Sequence, residues 1–209
     1  VSALDPRQTF LRLVDPEDLP EDLVGRIRDF KFQGTAAKVN FALSDVPTFP
    51  GLEGREDIFR GFTNLGPSID YLMEAWADCE AGRVSRRPFV DCCVQSTIDP
   101  DMAPAGQHVM SCFVMYAPYH LADSDWETER DNLGITVQET IEEFFPGFGE
   151  LVLHREVVTP MDIEQLIGLS EGNIFAGELL EDPIPRTLSL VGVPACHDYR
   201  GTLGGQGPS

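Results

Sequence analysis

The residues able to do chemistry are spread thinly along this chain. Four histidines, His108, His120, His154 and His197, lie far apart, and none has a second ligand-type residue at the spacing a metal site on a helix needs. His154 falls in a predicted strand and reads as a structural or surface group. Five cysteines, Cys79, Cys92, Cys93, Cys112 and Cys196, form no CxxC pair. Their odd number leaves at least one thiol without an intramolecular disulfide partner, and a reducing compartment fits them best. Cys92 and Cys93 are adjacent, and neighbouring strand residues point to opposite faces. The pair therefore reads as one buried thiol and one facing a helix or solvent, rather than as a redox couple.

Nucleophilic and phosphate-binding patterns are missing from the sequence. There is no GxSxG elbow, no GxGxxG that follows a predicted strand and opens a helix, and no GxxxxGK[ST]. Glu139, Glu142 and Glu143 make an acidic run on a predicted helix; such a run reads as a solvated face rather than a cation site. Asn173, in EGNIFAGE beside Gly172, has an amide that suits either a hydrogen bond to backbone or a cofactor edge, or a turn with unusual dihedrals. Residue types and spacing alone assign neither catalytic residues nor metal ligands.

The elements that would position these residues are legible from periodicity. Asp5-Pro6 and Asp15-Pro16 each predict a short helix start, and in the second helix Leu23, Ile27 and Phe30 recur at helical spacing behind acidic Glu21 and Asp22. AAKVNFALSDV alternates, with Lys38, Asn40 and Ala42 on one face and Val39, Phe41 and Leu43 on the other, which predicts a half-buried strand. A second strand is expected near Ile58 to Asn64. An amphipathic helix follows, capped by Ser68, with Ile69, Leu72, Met73 and Trp76 as its apolar stripe and Gly82 at its end. Strands are expected at Phe89 to Ser96, His108 to Tyr116 and Leu151 to Val158. Between the last two lies the longest helix, with Trp126, Leu133, Val137, Ile141 and Phe144 on one stripe and a stop at Pro146-Gly147. Another short helix starts at Thr159-Pro160. The fold class predicted is α+β, a mixed and mainly antiparallel sheet of three to five strands covered by helices.

Charge narrows the partners. Thirty-five acidic residues against fifteen basic ones among 209 give a formal charge of −20, so the mean field repels phosphate backbones and anionic lipid. Nucleic acid is not an expected partner. No apolar run approaches the roughly 20 residues that span a bilayer, and the absence of a basic-then-apolar start points to a cytoplasmic location.

Three stretches, taken in order, carry a resemblance. They are VSALDPRQTFLRLVDPEDLP at the start, GPSIDYLMEAW followed by STIDPDMAPAGQHVMSCFVMYAPYHL in the middle, and HREVVTPMDIEQLIGLSEGNIFAGEL near the end. Together they resemble the phytoene-desaturase-like FAD-dependent oxidoreductases, from Val1 to about Arg200, and the spaced motif DP-x-x-AP-x-G-x-HV-x-S with the GNIF segment is the specific part. The resemblance implies a flavin-binding Rossmann domain built from both ends of a longer enzyme, with a substrate domain inserted between them. Residues 1–6 would end an FAD-domain strand, 7–186 would form the substrate domain, and 187–209 would be a return segment, Leu188 to Arg200 with PACHDYR, and a divergent tail. Ser2, Ala3, Gly172 and Asn173 would lie on the flavin-side edge.

The implied chemistry is dehydrogenase- or desaturase-like hydride transfer from a small apolar substrate to flavin. FAD belongs to the parent family, and none is expected to bind tightly to this chain alone, which would be inactive by itself. A flavin-domain partner, or self-association through an exposed apolar surface, would complete it. Two departures bear on the site: Ala176 stands where relatives commonly place a histidine, and Val191-Gly192 where an Arg-Pro pair is usual. The alternative expectation is a stand-alone ligand-binding or protein-interaction module derived from the substrate domain.

Overall fold

A computed structural model describes residues 2–177. Val1 and residues 178–209 lie outside the described residues, and with them the expected return segment, Cys196, His197 and the Val191-Gly192 departure. The chain divides into two units, one of residues 1–31 with 175–209 and one of residues 32–174.

In the first unit both Asp-Pro pairs start helical turns, but the second helix expected from Asp15-Pro16 is divided and ends before Phe30. The Asp5 carboxylate accepts the Gln8 N–H at 2.9 Å, and Pro6 opens α1 (Pro6–Gln8), which continues as a π-helical turn over Thr9–Leu13. Asp15 accepts from the Glu17 N–H and heads a 3-10 turn, Pro16–Asp18. That turn is separate from α2 (Glu21–Arg28), because Leu19 precedes a proline and is extended, with φ −112° and ψ 143°. Leu23, Val24 and Ile27 are the buried face of α2, and its acidic first turn and basic last turn both suit the helix dipole.

The second unit is built on one sheet. Strands β1 (Ala37–Leu43), β2 (Thr63–Leu65), β3 (Phe89–Val94), β4 (His108–Met115) and β5 (Val152–Val158) lie in the order β2-β3-β4-β1-β5, and every neighbouring pair is antiparallel. The predicted α+β class holds. Helix α3 (Ile69–Glu80) joins β2 to β3, helices α4 (Trp126–Phe144) and α5 (Phe148–Leu151) join β4 to β5, and α6 (Pro160–Ile167) follows β5.

Alternation places Val39, Phe41 and Leu43 of β1, Val90, Cys92 and Val94 of β3, and Met110, Cys112 and Val114 of β4 in one core. Trp126, Leu133, Val137 and Ile141 of α4 fill the same cluster, as the predicted stripe requires, and Phe41 meets Phe148 edge-on at 5.2 Å between ring centres. Gly134 lets α4 approach β5 closely, since a Cβ there would sit 2.9 Å from Val157 Cγ2 and 2.5 Å from Arg155 Nε. Among the described residues no helix is long and apolar enough to cross a membrane.

Three sequence expectations are corrected. The strand expected near Ile58 to Asn64 begins only at Thr63, and Glu56–Arg60 is a 3-10 turn. Ile58 and Phe59 are adjacent apolar residues without alternation, and a turn can put both against the same core while a strand separates them. The stripe expected on α3 is rotated: Ile69 is 77% and Met73 57% exposed, while Tyr71, Ala75, Asp78 and Cys79 are buried. Polar anchors set that rotation. Tyr71 donates to the Pro88 carbonyl at 3.0 Å, Ser85 Oγ donates to the Ala75 carbonyl at 2.8 Å, and the Asp78 carboxylate accepts from Arg83, from the Arg86 guanidinium and from the Arg86 N–H. The third correction concerns Cys92 and Cys93. Both are buried; Cys92 joins the core and Cys93, on the other face, is covered beside the Phe59 carbonyl at 3.7 Å. Burial pushes the Cys92 thiol up to about 12 and raises Cys93 as well, so neither is a ready thiolate.

Candidate functional site

The face of the sheet turned away from α4 carries the other half of each strand. Asn64, Asp91, Phe113 and Lys38 stand side by side across β2, β3, β4 and β1, and the next row on that face is Cys93, Ser111, Asn40 and Glu156. Side-chain hydrogen bonds run along these rows. Asn64 Nδ2 donates to Asp91 Oδ1 at 2.8 Å, Ser111 Oγ donates to Asn40 Oδ1 at 2.9 Å, and Asn40 Nδ2 donates to Glu156 Oε2 at 3.0 Å. Two aromatic rings interrupt this polar pattern, Phe113 on β4 and Phe62, which is 73% exposed one residue before β2.

A groove of about 360 Å³ lies on this face, lined by Lys38, Phe62, Asp91, Cys93, Gln95, Ser111 and Phe113. Gln95 enters it from the single 3-10 turn Gln95–Thr97 that ends β3. That turn is fixed by Ser96, whose Oγ accepts the Val109 N–H at 3.1 Å and bonds His108 Nδ1 at 3.0 Å. The Gln95 Oε1 atom is buried and has no hydrogen-bond partner among the described residues. An orphaned buried acceptor costs about 1–3 kcal/mol. Asp91 sits in the same groove. Burial pushes its carboxyl above the ordinary range, and among the described residues its side chain is engaged at Oδ1, by Asn64. Lys38 makes no ion pair among the described residues, and β4 stands between it and Asp91.

A second hollow, about 170 Å³, is lined by Phe32, Thr35, Trp76, Cys79, Tyr119 and His120 with neighbouring backbone. Its phenol and thiol are held protonated. The Tyr119 hydroxyl donates to Glu164, which holds it up to about 12, and burial holds the Cys79 thiol at about 11. Among the described residues no cluster of His, Cys, Asp or Glu is arranged to hold a metal. His154 lies exposed on β5, in register with Ala42. Of the acidic run, Glu142 accepts the Gly147 and Gly149 N–H groups after α4, and Glu143 pairs with Arg87 at 3.2 Å.

The expected flavin-side residues fall into both units. Ser2 and Ala3 are exposed in the first, with Ser2 Oγ bonded to Thr9 Oγ1 at 2.8 Å. Gly172 and Asn173 are buried in the second. A Cβ on Gly172 would stand 2.1 Å from the Pro160 carbonyl oxygen, so its bareness serves a close backbone approach. Asn173 Nδ2 donates to the Phe32 and Gln33 carbonyls, at 3.1 Å each, which is the backbone option of the two its sequence position left open. Ala176 has φ 60°, in the left-handed region.

These residues do not make a cradle for a dinucleotide pyrophosphate, which needs free N–H groups at a helix start. The starts of α3, α4 and α6 are closed by their own caps, Ser68, Asp125 and the reciprocal Thr159–Asp162 pair, and the first turn of α2 carries Glu21 and Asp22. Among the described residues the starts of α3, α4 and α6 thus have one N–H already engaged by a side chain, and that of α2 faces two carboxylates.

Sequence reasoning missed Asp91, Gln95 and Phe113 as a group. The signal was present in FVDCCVQ, where Asp91 falls out of phase with Val90, Cys92 and Val94, but nothing in one strand shows which residues of its neighbours stand beside it.

No protein-family profile matches the chain. It is similar along almost all its length to pyridine nucleotide-disulfide oxidoreductase domain-containing protein 2 of Rattus norvegicus and of Mus musculus. Each is 34% identical over 208 residues, covering 96% of this chain and 35% of the relative. The chain thus spans about a third of the length of the curated relatives it matches, and its homologues bear the name of an oxidoreductase domain.

Proposed function

We propose that this chain is the substrate-side part of a flavin-dependent oxidoreductase, and that the open face of its sheet is the wall against which the substrate lies. The observation that carries the reading is 34% identity to the oxidoreductase-domain relatives in an alignment that covers 96% of the chain. The architecture supports it. A five-stranded sheet with one face sealed by α4 and the other carrying a groove of about 360 Å³ is suited to hold a small molecule against a second body. Phe62 and Phe113 would pack the apolar part of the substrate, and the rows tied by Asn64–Asp91 and Ser111–Asn40–Glu156 would keep that wall rigid. The reaction class is oxidation by hydride transfer to FAD. The flavin's phosphates would be held by residues other than 2–177, consistent with the occupied helix starts.

The test uses flavin retention. The purified chain, mixed with FAD and filtered, is expected to release all the yellow colour into the filtrate. The same chain placed between the flanking segments of the rat relative is expected to keep it. Retention by the chain alone overturns the division of labour proposed, and a folded chimera that stays colourless favours a stand-alone ligand-binding module on the same groove.

A further inference from the structure

We propose that the hollow between α3 and the segment after β4 binds a small single-ring aromatic molecule without negative charge, its ring against Trp76 and its polar substituent meeting His120. The site is separate from the groove on the sheet face and does not rest on the oxidoreductase reading.

The hollow lies wholly within the unit of residues 32–174, and four segments meet around it: residues 32–35 ahead of β1, the second half of α3 with Gly82, residues 118–120, and Glu171. Each segment is tied to a neighbour. Asn173 Nδ2 holds the Phe32 and Gln33 carbonyls, and the Ala117 N–H donates to the Thr35 carbonyl at 3.0 Å. The Trp126 indole N–H holds the Pro118 and Tyr119 carbonyls. Glu164 accepts both the Tyr119 hydroxyl and, at 2.8 Å, the Glu171 N–H, while the Gly82 carbonyl accepts the Ala122 N–H at 2.9 Å. Walls fixed in this way resist collapse, so the space is preformed for a ligand. Two backbone features accompany it. Gly34 has φ 73°, and a Cβ there would already stand 3.6 Å from the Trp76 ring. Glu171 takes φ 52° without being a glycine, a conformation that persists only where its surroundings impose it and that concentrates at ligand sites.

Size, surface and charge define the occupant. About 170 Å³ suits a single six-membered ring, since a cavity of about 150 Å³ takes up benzene. Trp76 and Tyr119, both half-buried, give the hollow aromatic walls, and an aromatic ligand gains more from such walls than an aliphatic one of equal area. Among the described residues no Lys or Arg lines the hollow, whereas Glu80 and Glu171 do, so a carboxylate or phosphate would enter against like charge. His120 supplies the polar contact. It is exposed, so a ligand reaches it from water, and its ring stands edge-on to that of Tyr119 with centres 4.8 Å apart. Among the described residues no hydrogen bond occupies its nitrogens. Trp76 and His120 line one space of this size, so a substituted ring spans from one to the other.

Phenol is the probe, with cyclohexanol and benzoate as controls at neutral pH. The amide signals of Gly34, Gly82 and His120 and the Trp76 indole N–H signal are followed by nuclear magnetic resonance of the full chain during titration. Phenol is expected to shift them saturably, cyclohexanol to bind at least about threefold more weakly, and benzoate at least about tenfold more weakly. His120→Ala, at an exposed position, should weaken phenol by about three- to tenfold and leave the melting temperature unchanged. Trp76→Leu should weaken it by at least about fivefold. No saturable shift with phenol, equal binding of cyclohexanol or benzoate, or full phenol affinity in either variant overturns the proposal. Shifts confined to Asp91 and Phe113 overturn it as well, since the ring would then lie in the sheet-face groove. No flavin enters this experiment, so its failure is separable from failure of the oxidoreductase reading, which the retention test addresses.

Discussion

Val39, Phe41 and Leu43 leave β1 on one side of the sheet, and Lys38, Asn40 and Ala42 leave it on the other, so two surfaces of opposite character share the same backbone. The inner surface meets α4 and is closed by aromatic and aliphatic packing, with Trp126, Phe145 and Phe148 almost wholly removed from water. The outer surface holds hydrogen-bonded polar rows, two rings and a groove lined in part by Asp91 and Gln95. The difference separates stability from recognition. Residues of the inner face are determined by volume, while those of the outer face are determined by what they leave available.

The contrast predicts a graded set of effects. The largest belongs to the inner face: Trp126→Ala removes a buried ring together with an indole N–H shared by the Pro118 and Tyr119 carbonyls, at 3.2 Å each, and should cost about 3–5 kcal/mol in denaturant unfolding. A loss below about 1 kcal/mol would show that the inner face is not the stabilising one.

An intermediate effect comes from the clasp behind the inner face. Arg130 of α4 donates to both Asp162 oxygens, at 2.5 and 2.8 Å, and to the Val157 carbonyl at 2.9 Å, tying α4 to β5 and to the start of α6. The guanidinium beside it, with the Thr159 hydrogen bonds, holds the Asp162 carboxyl at about 2 against an ordinary 3.8. A depressed carboxyl stabilises the fold above its unfolded value and loses that contribution on protonation. The stabilisation should therefore be present above pH 3.8 and vanish as the pH falls through about 2. Arg130 is partly open to water, which screens the pair, so the contribution is at most about 2 kcal/mol. Asp162→Asn should flatten the dependence of unfolding free energy on pH in that window; an unchanged acid limb would remove the clasp from the account.

The smallest effect on stability belongs to the outer face. Asn64→Ala deletes an exposed cross-strand hydrogen bond to Asp91 and should cost under about 1 kcal/mol in denaturant unfolding. A stability loss matching that of Trp126→Ala would erase the distinction between the faces.

The sequence determined the elements wherever local physics suffices. Asp5-Pro6 and Thr159-Pro160 start helices because a side-chain oxygen and a fixed φ act within one turn, and β1 and α4 show their periods because each buries one face. The same local reading misplaced the buried stripe of α3, where hydrogen bonds joining Tyr71, Ala75 and Asp78 of the helix to Pro88, Ser85 and Arg86 of the following loop outweigh the burial of Ile69 and Met73. Only the tertiary structure decided the candidate site. Asp91, Phe113 and Lys38 become neighbours through the register of three strands drawn from distant parts of the chain, and Gln95 reaches their groove from the turn that Ser96 fixes. Strand alternation can be read from one segment, but which alternating residues share a row depends on pairing between segments, and that pairing is a property of the folded sheet.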